Sequence, residues 1–577
     1  MQWRKAWLWL ACGWMACIAH AQDDVPLRIE GVSGDVRANL EAYVGKLTAE
    51  DLRNWRETLP RLRTAAREAM QAVGYYRADV RFSRPDERQV LLQITPGEPV
   101  IVRSLKLRFQ GEAGNDIAFT ALLDTLPVRE GDIFHHGRYE AIKTQVQDLA
   151  LERGYFAGKW VDHAVNVLEP EQVADITLIY DSGKRYTFGP VSFRNAAEGK
   201  SLPIREELLQ RLVPFSEDAP YEAGKVIEFN KALLDSRYFS DVRVRADAGM
   251  AVDNAIPVGV TVASGKRNQV DLGAGYATDV GPRLSLDWRR PLLNDGGHSI
   301  ETTSELSPVR QTVDLKYSIP WTHPLNDTLQ LFSGFKREEL DTQVTYNTTL
   351  GVERLKRRPS GWQTSYSLRY SRESYSKTSG EKGSSVLLLP GVSLSRTRSR
   401  GGTDPYWGDR QYYQAEFASP QLLSDADLIS LRVGWRLLRT LADRHQFLLR
   451  ADGGAILTND FDSVPLNMRF YAGGDQSVRG YDYQSLSPRD SNGLITGARN
   501  LVTFSGEYGY KFAARWRAAA FVDEGNAFNA VNEGLKTGAG IGIRWISPVG
   551  PIRLDLAWGL SGQNASPRIH FFMGPAL

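Results

Sequence analysis

From about Asn268 onward, apolar and polar residues alternate with a period of two. Val270, Leu272, Ala274 and Tyr276 alternate with Gln269, Asp271, Gly273 and Gly275, and Leu284, Leu286 and Trp288 with Ser285, Asp287 and Arg289. The pattern returns at Val502, Phe504, Tyr508 and Tyr510, at Ala539, Ile541, Ile543 and Trp545, and at Ile552, Leu554, Leu556 and Trp558. Successive side chains of a strand point to opposite faces, so each segment has one apolar and one polar face. Segments of about 10 residues with this dyad period are the sequence signature of a transmembrane β-barrel. Sixteen candidate strands begin near 269, 282, 298, 311, 328, 342, 362, 384, 410, 428, 444, 498, 516, 536, 551 and 567. An even number is what a closed bacterial barrel needs, and closure satisfies the backbone groups that lipid cannot. The competing reading, a soluble β-sandwich, does not account for charges alternating with Trp and Leu on so many strands.

The first half has a different rhythm, and it repeats. Gly74-Tyr75-Tyr76, Gly154-Tyr155-Phe156 and Arg237-Tyr238-Phe239 recur along the chain, each after a helical stretch and before an alternating strand. Leu62, Ala65, Ala66, Ala69, Met70 and Val73 form an apolar stripe at helical spacing; Ile142, Val146 and Leu149 form the second, and Ile227, Phe229, Leu233 and Leu234 a shorter third. Strands follow at 78–82, 160–164 and 242–246, and each copy ends in a further strand and a turn at Gly97, Gly183 or Gly265. The predicted module is β-α-α-β-β, at 22–100, 101–185 and 186–266, with the barrel at 267–577. The aromatic pairs read as core packing where a short helix meets a small sheet. A small sheet covered on one face leaves a strand edge open to pairing by an extended partner.

Composition narrows the classes. Met1-Gln2-Trp3-Arg4-Lys5, an apolar run to about Ile18 and Ala19-His20-Ala21 predict a secretory signal peptide over 1–21. Cys12 and Cys17 are the only cysteines and both fall inside it, so the expected mature chain has no disulfide, thiolate metal site or Cys nucleophile. Taking Arg4 and Lys5 from the 70 basic residues leaves 70 − 2 = 68 against 68 acidic ones, a balance with no global field for nucleic acid. No other apolar run reaches the length of a membrane helix.

Two segments stand out within the barrel pattern. Between the eleventh and twelfth strands, at about 458–497, a long connection contains Gly473-Gly474-Asp475-Gln476-Ser477-Val478-Arg479-Gly480-Tyr481. On the thirteenth strand stands Phe521-Val522-Asp523-Glu524-Gly525-Asn526-Ala527-Phe528. Phe521 and Asp523 share parity with Arg517, opposite to Trp516, Ala518, Ala520 and Val522, so Asp523 is expected to face the lumen. Gly480 has no Cβ, which lets the backbone beside Arg479 approach a wall. A guanidinium fork suits one carboxylate, so Arg479 is expected to pin the loop to Asp523 inside the barrel. The bland alternative is a Gly-rich turn with a solvated Arg.

The two segments together resemble the signature motifs of the Omp85 superfamily of outer-membrane assembly proteins: a loop motif ending V-R-G-[YF] and a strand motif F-x-D-x-G-x-x-F. The repeated module is similar to the POTRA domain, the periplasmic module of that superfamily. The resemblance implies an α+β periplasmic part of three POTRA domains followed by an all-β part, a 16-stranded antiparallel transmembrane barrel in the outer membrane. Val478, Arg479, Gly480, Tyr481 and Asp523 would form the loop latch, with Phe521, Gly525 and Phe528 the rest of the strand motif. Three modules are most similar to the translocation and assembly module branch. That branch implies insertion or secretion of outer-membrane proteins such as autotransporters, and lipid delivery as a further role. The implied partners are a TamB-like inner-membrane-anchored protein, client outer-membrane proteins and the lipid bilayer, with no cofactor. The alternative is a secretion pore of the two-partner type, passing polypeptide through the lumen.

The last strand completes the expected site. Ile569, Phe571 and Met573 should face lipid; Gly574 permits a bend, and Pro575 lacks an N–H for pairing with strand one. The seam between this strand and that of Val270 and Leu272 is therefore expected to be the weakest, a lateral gate. The end also resembles a C-terminal outer-membrane signal, with Leu577 in place of an aromatic. Catalytic motifs are missing: no Gly-x-Ser-x-Gly elbow, no His-Glu-x-x-His and no phosphate loop. His135-His136 and Glu338-Glu339 read as solvated loop residues, and no enzyme is expected.

Overall fold

The computed structural model describes residues 24–86, 89–340, 343–377, 380–547, 550–561 and 566–573. The predicted leader, Gly574, Pro575 and Leu577 lie outside them. Two compact units are present: 24–190 with 215–227 and 246–258, and the remainder including the barrel.

Three β-α-α-β-β repeats form the first half. The first has β1 (Asp24–Val25) paired with β3 (Leu47–Thr48), then β2 (Leu27–Glu30), α1 (Gly34–Val44), α2 (Ala49–Arg53), α3 (Trp55–Ala72), β4 (Asp79–Asp86) and β5 (Gln89–Thr95). The second has β6 (Ile101–Gln110), α4 (Ile117–Leu123), α5 (His136–Glu152), β7 (Lys159–Leu168) and β8 (Val173–Asp181). The third has β9 (Thr187–Asn195), α6 (Glu206–Gln210), α7 (Ala223–Asp235), β10 (Phe239–Ala246) and β11 (Ala255–Ser264). Each sheet places its last strand in the middle: β2-β5-β4, β6-β8-β7 and β9-β11-β10. In the first two, that strand runs parallel to the first and antiparallel to the second.

The helical stripes pack as their spacing requires. Leu62, Ala66, Ala69 and Met70 of α3 are buried in one core, and Ile142, Val146 and Ala150 of α5 in the next. In α7 Phe229 and Leu233 are buried, but Ile227 is 69% exposed and Leu234 45%, so the third stripe is narrower than predicted. The turn before each aromatic pair needs a left-handed residue. Gly74 and Gly154 take it at φ +94° and +84°, and Arg237 takes the same position in the third copy at φ +59°. A Cβ on Gly74 would stand 2.4 Å from the Phe134 carbonyl oxygen, so this glycine is required by space as well as by φ. Tyr155, Tyr238 and Phe239 are buried; Tyr75 and Tyr76 pack at core margins. His136 is not in a loop: it opens α5 and meets the Tyr76 hydroxyl at 2.8 Å.

The second half is a closed antiparallel barrel. Its strands are β12 (Gln269–Ala277), β13 (Gly281–Arg290), β14 (Ser299–Leu306), β15 (Arg310–His323), β16 (Asp327–Leu340), β17 (Gln343–Arg357), β18 (Gln363–Lys377) and β19 (Lys382–Arg400). They continue as β20 (Trp407–Ala418), β21 (Leu428–Leu441), β22 (His445–Leu457), β23 (Asn500–Ala513), β24 (Trp516–Phe528), β25 (Lys536–Ser547), β26 (Gly550–Gly559) and β27 (Pro567–Met573). Every strand begins within three residues of its predicted start. Glu338 and Glu339 lie in β16, not in a loop; Glu338 is buried beside Lys336 at 2.6 Å.

Candidate functional site

The barrel wall prepares the site by register. Arg450 of β22, Ser505 of β23, Asp523 of β24, Gly538 of β25 and Gly559 of β26 are successive cross-strand partners. Partners share a face, and along β24 Arg517, Ala519, Phe521 and Asp523 are buried while Trp516, Ala518, Ala520 and Val522 are exposed. This row therefore points into the lumen. Three lumen-facing glycines on β25 leave room above it. A Cβ on Gly538 would sit 1.9 Å from the Arg479 carbonyl oxygen, one on Gly540 2.5 Å from the Phe521 ring, and one on Gly542 in contact with Asp555.

The loop 458–499 descends onto that floor. Arg479 is 2% exposed and Asp523 fully buried. Nε and Nη2 of Arg479 donate to the two Asp523 oxygens at 2.7 and 2.9 Å, and the Arg479 backbone N–H donates to Oδ2 at 3.0 Å. Nη1 donates to Glu507 at 2.9 Å and to Asp555 at 3.0 Å. The guanidinium stacks on Phe521, 3.3 Å from its ring centre. Arg544 binds the same two carboxylates from below, with Nε and Nη2 donating to Glu507 at 3.0 and 2.9 Å and Nη1 to Asp555. Arg450 donates to Ser505 at 3.0 Å and to the Gln476 carbonyl at 3.2 Å, and stands 3.8 Å from Asp523. Arg450, Arg479 and Arg544 thus face Glu507, Asp523 and Asp555, with Arg553 the cross-strand partner of Arg544. Burial opposes the Arg479 charge, but the three carboxylates outweigh it and hold the guanidinium above its ordinary range.

The neighbours of Arg479 are fixed as well. Val478 is fully buried. Gly480 adopts φ +93°, and a Cβ there would meet the Gly559 nitrogen at 2.7 Å, so only glycine fits between loop and wall. Its N–H donates to Nε2 of His570 at 2.9 Å. The Tyr481 hydroxyl donates to the Thr537 carbonyl at 3.0 Å and accepts from the Ser561 N–H at 3.2 Å. Gly525 lies against Thr503, where a Cβ would stand 2.7 Å away, and Phe528 ends β24 half-buried.

At the seam, Ala277 of β12 and Phe572 of β27 are Cα partners, the one such pair among the described residues, against seven between β26 and β27. Val270 and Leu272 are 56% and 81% exposed on the outer face, as is Ile569 at 63%. Phe571 packs its ring on Tyr276. The structure brings Val478, Arg479, Gly480, Tyr481, Phe521 and Asp523 together; Val270 and Leu272 stand on the outer wall, away from the network. Glu507, Arg544, Asp555 and His570 are site residues that sequence patterning did not single out. Parity alone marks the first three as lumen-facing, but their convergence requires the register.

Residues 293–576 match the Omp85 superfamily domain, and residues 26–96 match the first POTRA domain of TamA. The barrel half is an Omp85 superfamily domain. The chain is 24% identical over 429 residues to the outer membrane protein assembly factor BamA of Nitratidesulfovibrio vulgaris, covering 70% of this chain and 53% of that one. It is 21% identical to BamA of Neisseria meningitidis serogroup B, covering 85% of this chain and 68% of the relative. It thus spans about half to two thirds of the length of these relatives. Among solved structures, BamA from Haemophilus ducreyi lacking POTRA domains 1–3 superposes with a TM-score of 0.64 at 15% identity, over 82% of this chain and 99% of that one. The chain is an outer-membrane barrel with N-terminal POTRA modules in the periplasm.

Proposed function

We propose that this chain is the outer-membrane subunit of a translocation and assembly module. In this reading it inserts or secretes outer-membrane proteins, autotransporters among them, and delivers lipid, by lateral opening between β12 and β27. Its partners are a TamB-like protein anchored in the inner membrane, client strands and the bilayer. The TamA-type match of the first module supports this branch, and BamA relatives named as assembly factors support the broader role.

The observation that carries the reading is the anchored loop. Arg479 is tied to three carboxylates of the wall, so the loop occupies the lumen that a polypeptide pore would have to keep clear. Among the described residues β12 and β27 share one Cα pair, and this seam is the alternative exit in the proposal, where a client strand would meet a strand edge and lipid. No bond to carbon is made or broken, so the role asks for no catalytic group.

The test is reconstitution of the full chain in liposomes with an unfolded client barrel. Client insertion above that of empty liposomes, with small flickering currents in planar bilayers, is expected. A large steady current with no gain in client insertion would overturn the reading in favour of a secretion pore.

A further inference from the structure

One loop side chain spans the edges of the seam. The Asp475 carboxylate accepts from the Thr278 hydroxyl at 3.0 and 3.2 Å and from Nδ1 of His570 at 2.6 Å. The Asp475 backbone N–H donates to Oδ2 of Asp279 at 2.7 Å. Thr278 and Asp279 follow the end of β12, whereas His570 belongs to β27. Asp475 therefore ties together both sides of the join, four residues before the Arg479 anchor. Gly474, at φ +105°, makes the approach possible: a Cβ there would stand 2.6 Å from the Asp279 carboxylate.

Hydrogen-bond polarity settles the charge of the imidazole. The Gly480 N–H donates to Nε2 of His570, so Nε2 carries a lone pair. Nδ1 then holds the proton that it gives to Asp475, and the ring is neutral. The cations facing the cluster are engaged elsewhere. Arg283 donates to the Met573 carbonyl, Arg310 to Glu305, and Arg568 pairs with Asp482. Glu339 is held by Arg337, and burial keeps the Tyr483 phenol neutral, pushed up to about 12. Among the described residues, Asp279 has no ion pair, and Asp475 has only the neutral ring. Two adjoining carboxylates, neither of them bonded by a guanidinium or ammonium group among the described residues, relieve their repulsion by holding a proton between them.

We propose that Asp475 is a clasp on the seam, joining the hairpin after β12 to β27, and that it closes fully only when Asp279 and Asp475 share a proton. The proposal rests on the lateral-opening reading and names the contact that opening must break. Burial first, and the Asp475 charge second, push the Asp279 carboxyl up to about 7 from an ordinary 3.8. A raised carboxyl in the closed form means that the closed form binds its proton more tightly than the open form. Opening thus becomes easier as pH rises from about 4 to about 7, and is level above that.

The test places spin labels at Leu272→Cys and Ile569→Cys, both exposed on the outer wall, in the full chain in bilayers, and reads their distance distribution. The ratio of separated to closed populations should rise about tenfold between pH 6 and pH 8. Asp279→Asn, neutral at every pH and able to accept the Asp475 N–H, should stay closed at both. Asp475→Ala should be separated at both, with barrel folding checked by its resistance to cold detergent. An Asp279→Asn variant with the unaltered pH response, or an Asp475→Ala variant with an unshifted distribution, would overturn the clasp. So would closure at pH 8 by added zinc that a chelator reverses, since a metal would then replace the proton. If Asp475→Ala separates the strands and client insertion is unchanged, the clasp stands and the lateral-opening function falls.

Discussion

Arg479 joins the loop to three strands of the wall, β23, β24 and β26. It makes two bonds to Asp523 through its fork, one through its backbone, and two more to Glu507 and Asp555. A buried network of this kind gains little over an apolar core but costs much when one partner is lost, about 3–5 kcal/mol. Arg479→Ala leaves three carboxylates facing two arginines. We predict that this variant loses about that much loop stability, read as faster protease cleavage within 458–499 and a lower unfolding temperature. Arg479→Lys should fall nearly as far, because a point charge cannot satisfy both Asp523 oxygens. Cleavage and melting identical to the unaltered protein in both variants would remove the anchor from the account.

At the scale of elements, the loop is held by what the wall omits as much as by what it supplies. Gly538, Gly540 and Gly542 lie on alternate positions of β25, all facing the lumen, and clear space for the Arg479 carbonyl, the Phe521 ring and Asp555. Gly538→Ala, which leaves every charge in place, should displace the loop and raise its protease sensitivity to the level of Arg479→Ala. A loop as protected as before would mean that the strand can yield at this point. The same region shows what sequence makes legible. A period of two gives strand positions and faces, so the orientation of Asp523 could be read from Arg517, Phe521 and their neighbours. Which residues lie side by side depends on register, and register is set by turns and shear that no single strand encodes. That is why Glu507, Arg544, Asp555 and His570 were invisible as a group. In the modules, helical periodicity found α3 and α5, but Ile227 and Leu234 of α7 stay exposed because that helix buries a narrower face.

For the whole molecule, a loop-filled lumen goes with a barrel wall whose first and last strands share one Cα pair among the described residues. Lipid supplies no hydrogen bonds, so an unpaired strand edge in a barrel is costly unless something completes it. Here β12 and β27 share one Cα pair among the described residues, and the loop adds Asp475 and the Gly480–His570 contact across the same region. In the proposed function a client strand would complete such an edge by backbone pairing, as it would at the open edges of the modules. In the function proposed above, the anchored loop and the seam are two parts of one device: the first would close the axial route and the second would leave the lateral one.

The most direct measurement is a reversible lock on that seam. Ala277→Cys and Phe572→Cys place one cysteine on each of the paired positions, in a chain whose own cysteines stand at 12 and 17. Oxidation should stop client insertion into liposomes, and reduction should restore it to the rate of the unaltered protein. Insertion at full rate through the oxidised, fully cross-linked barrel would contradict the account.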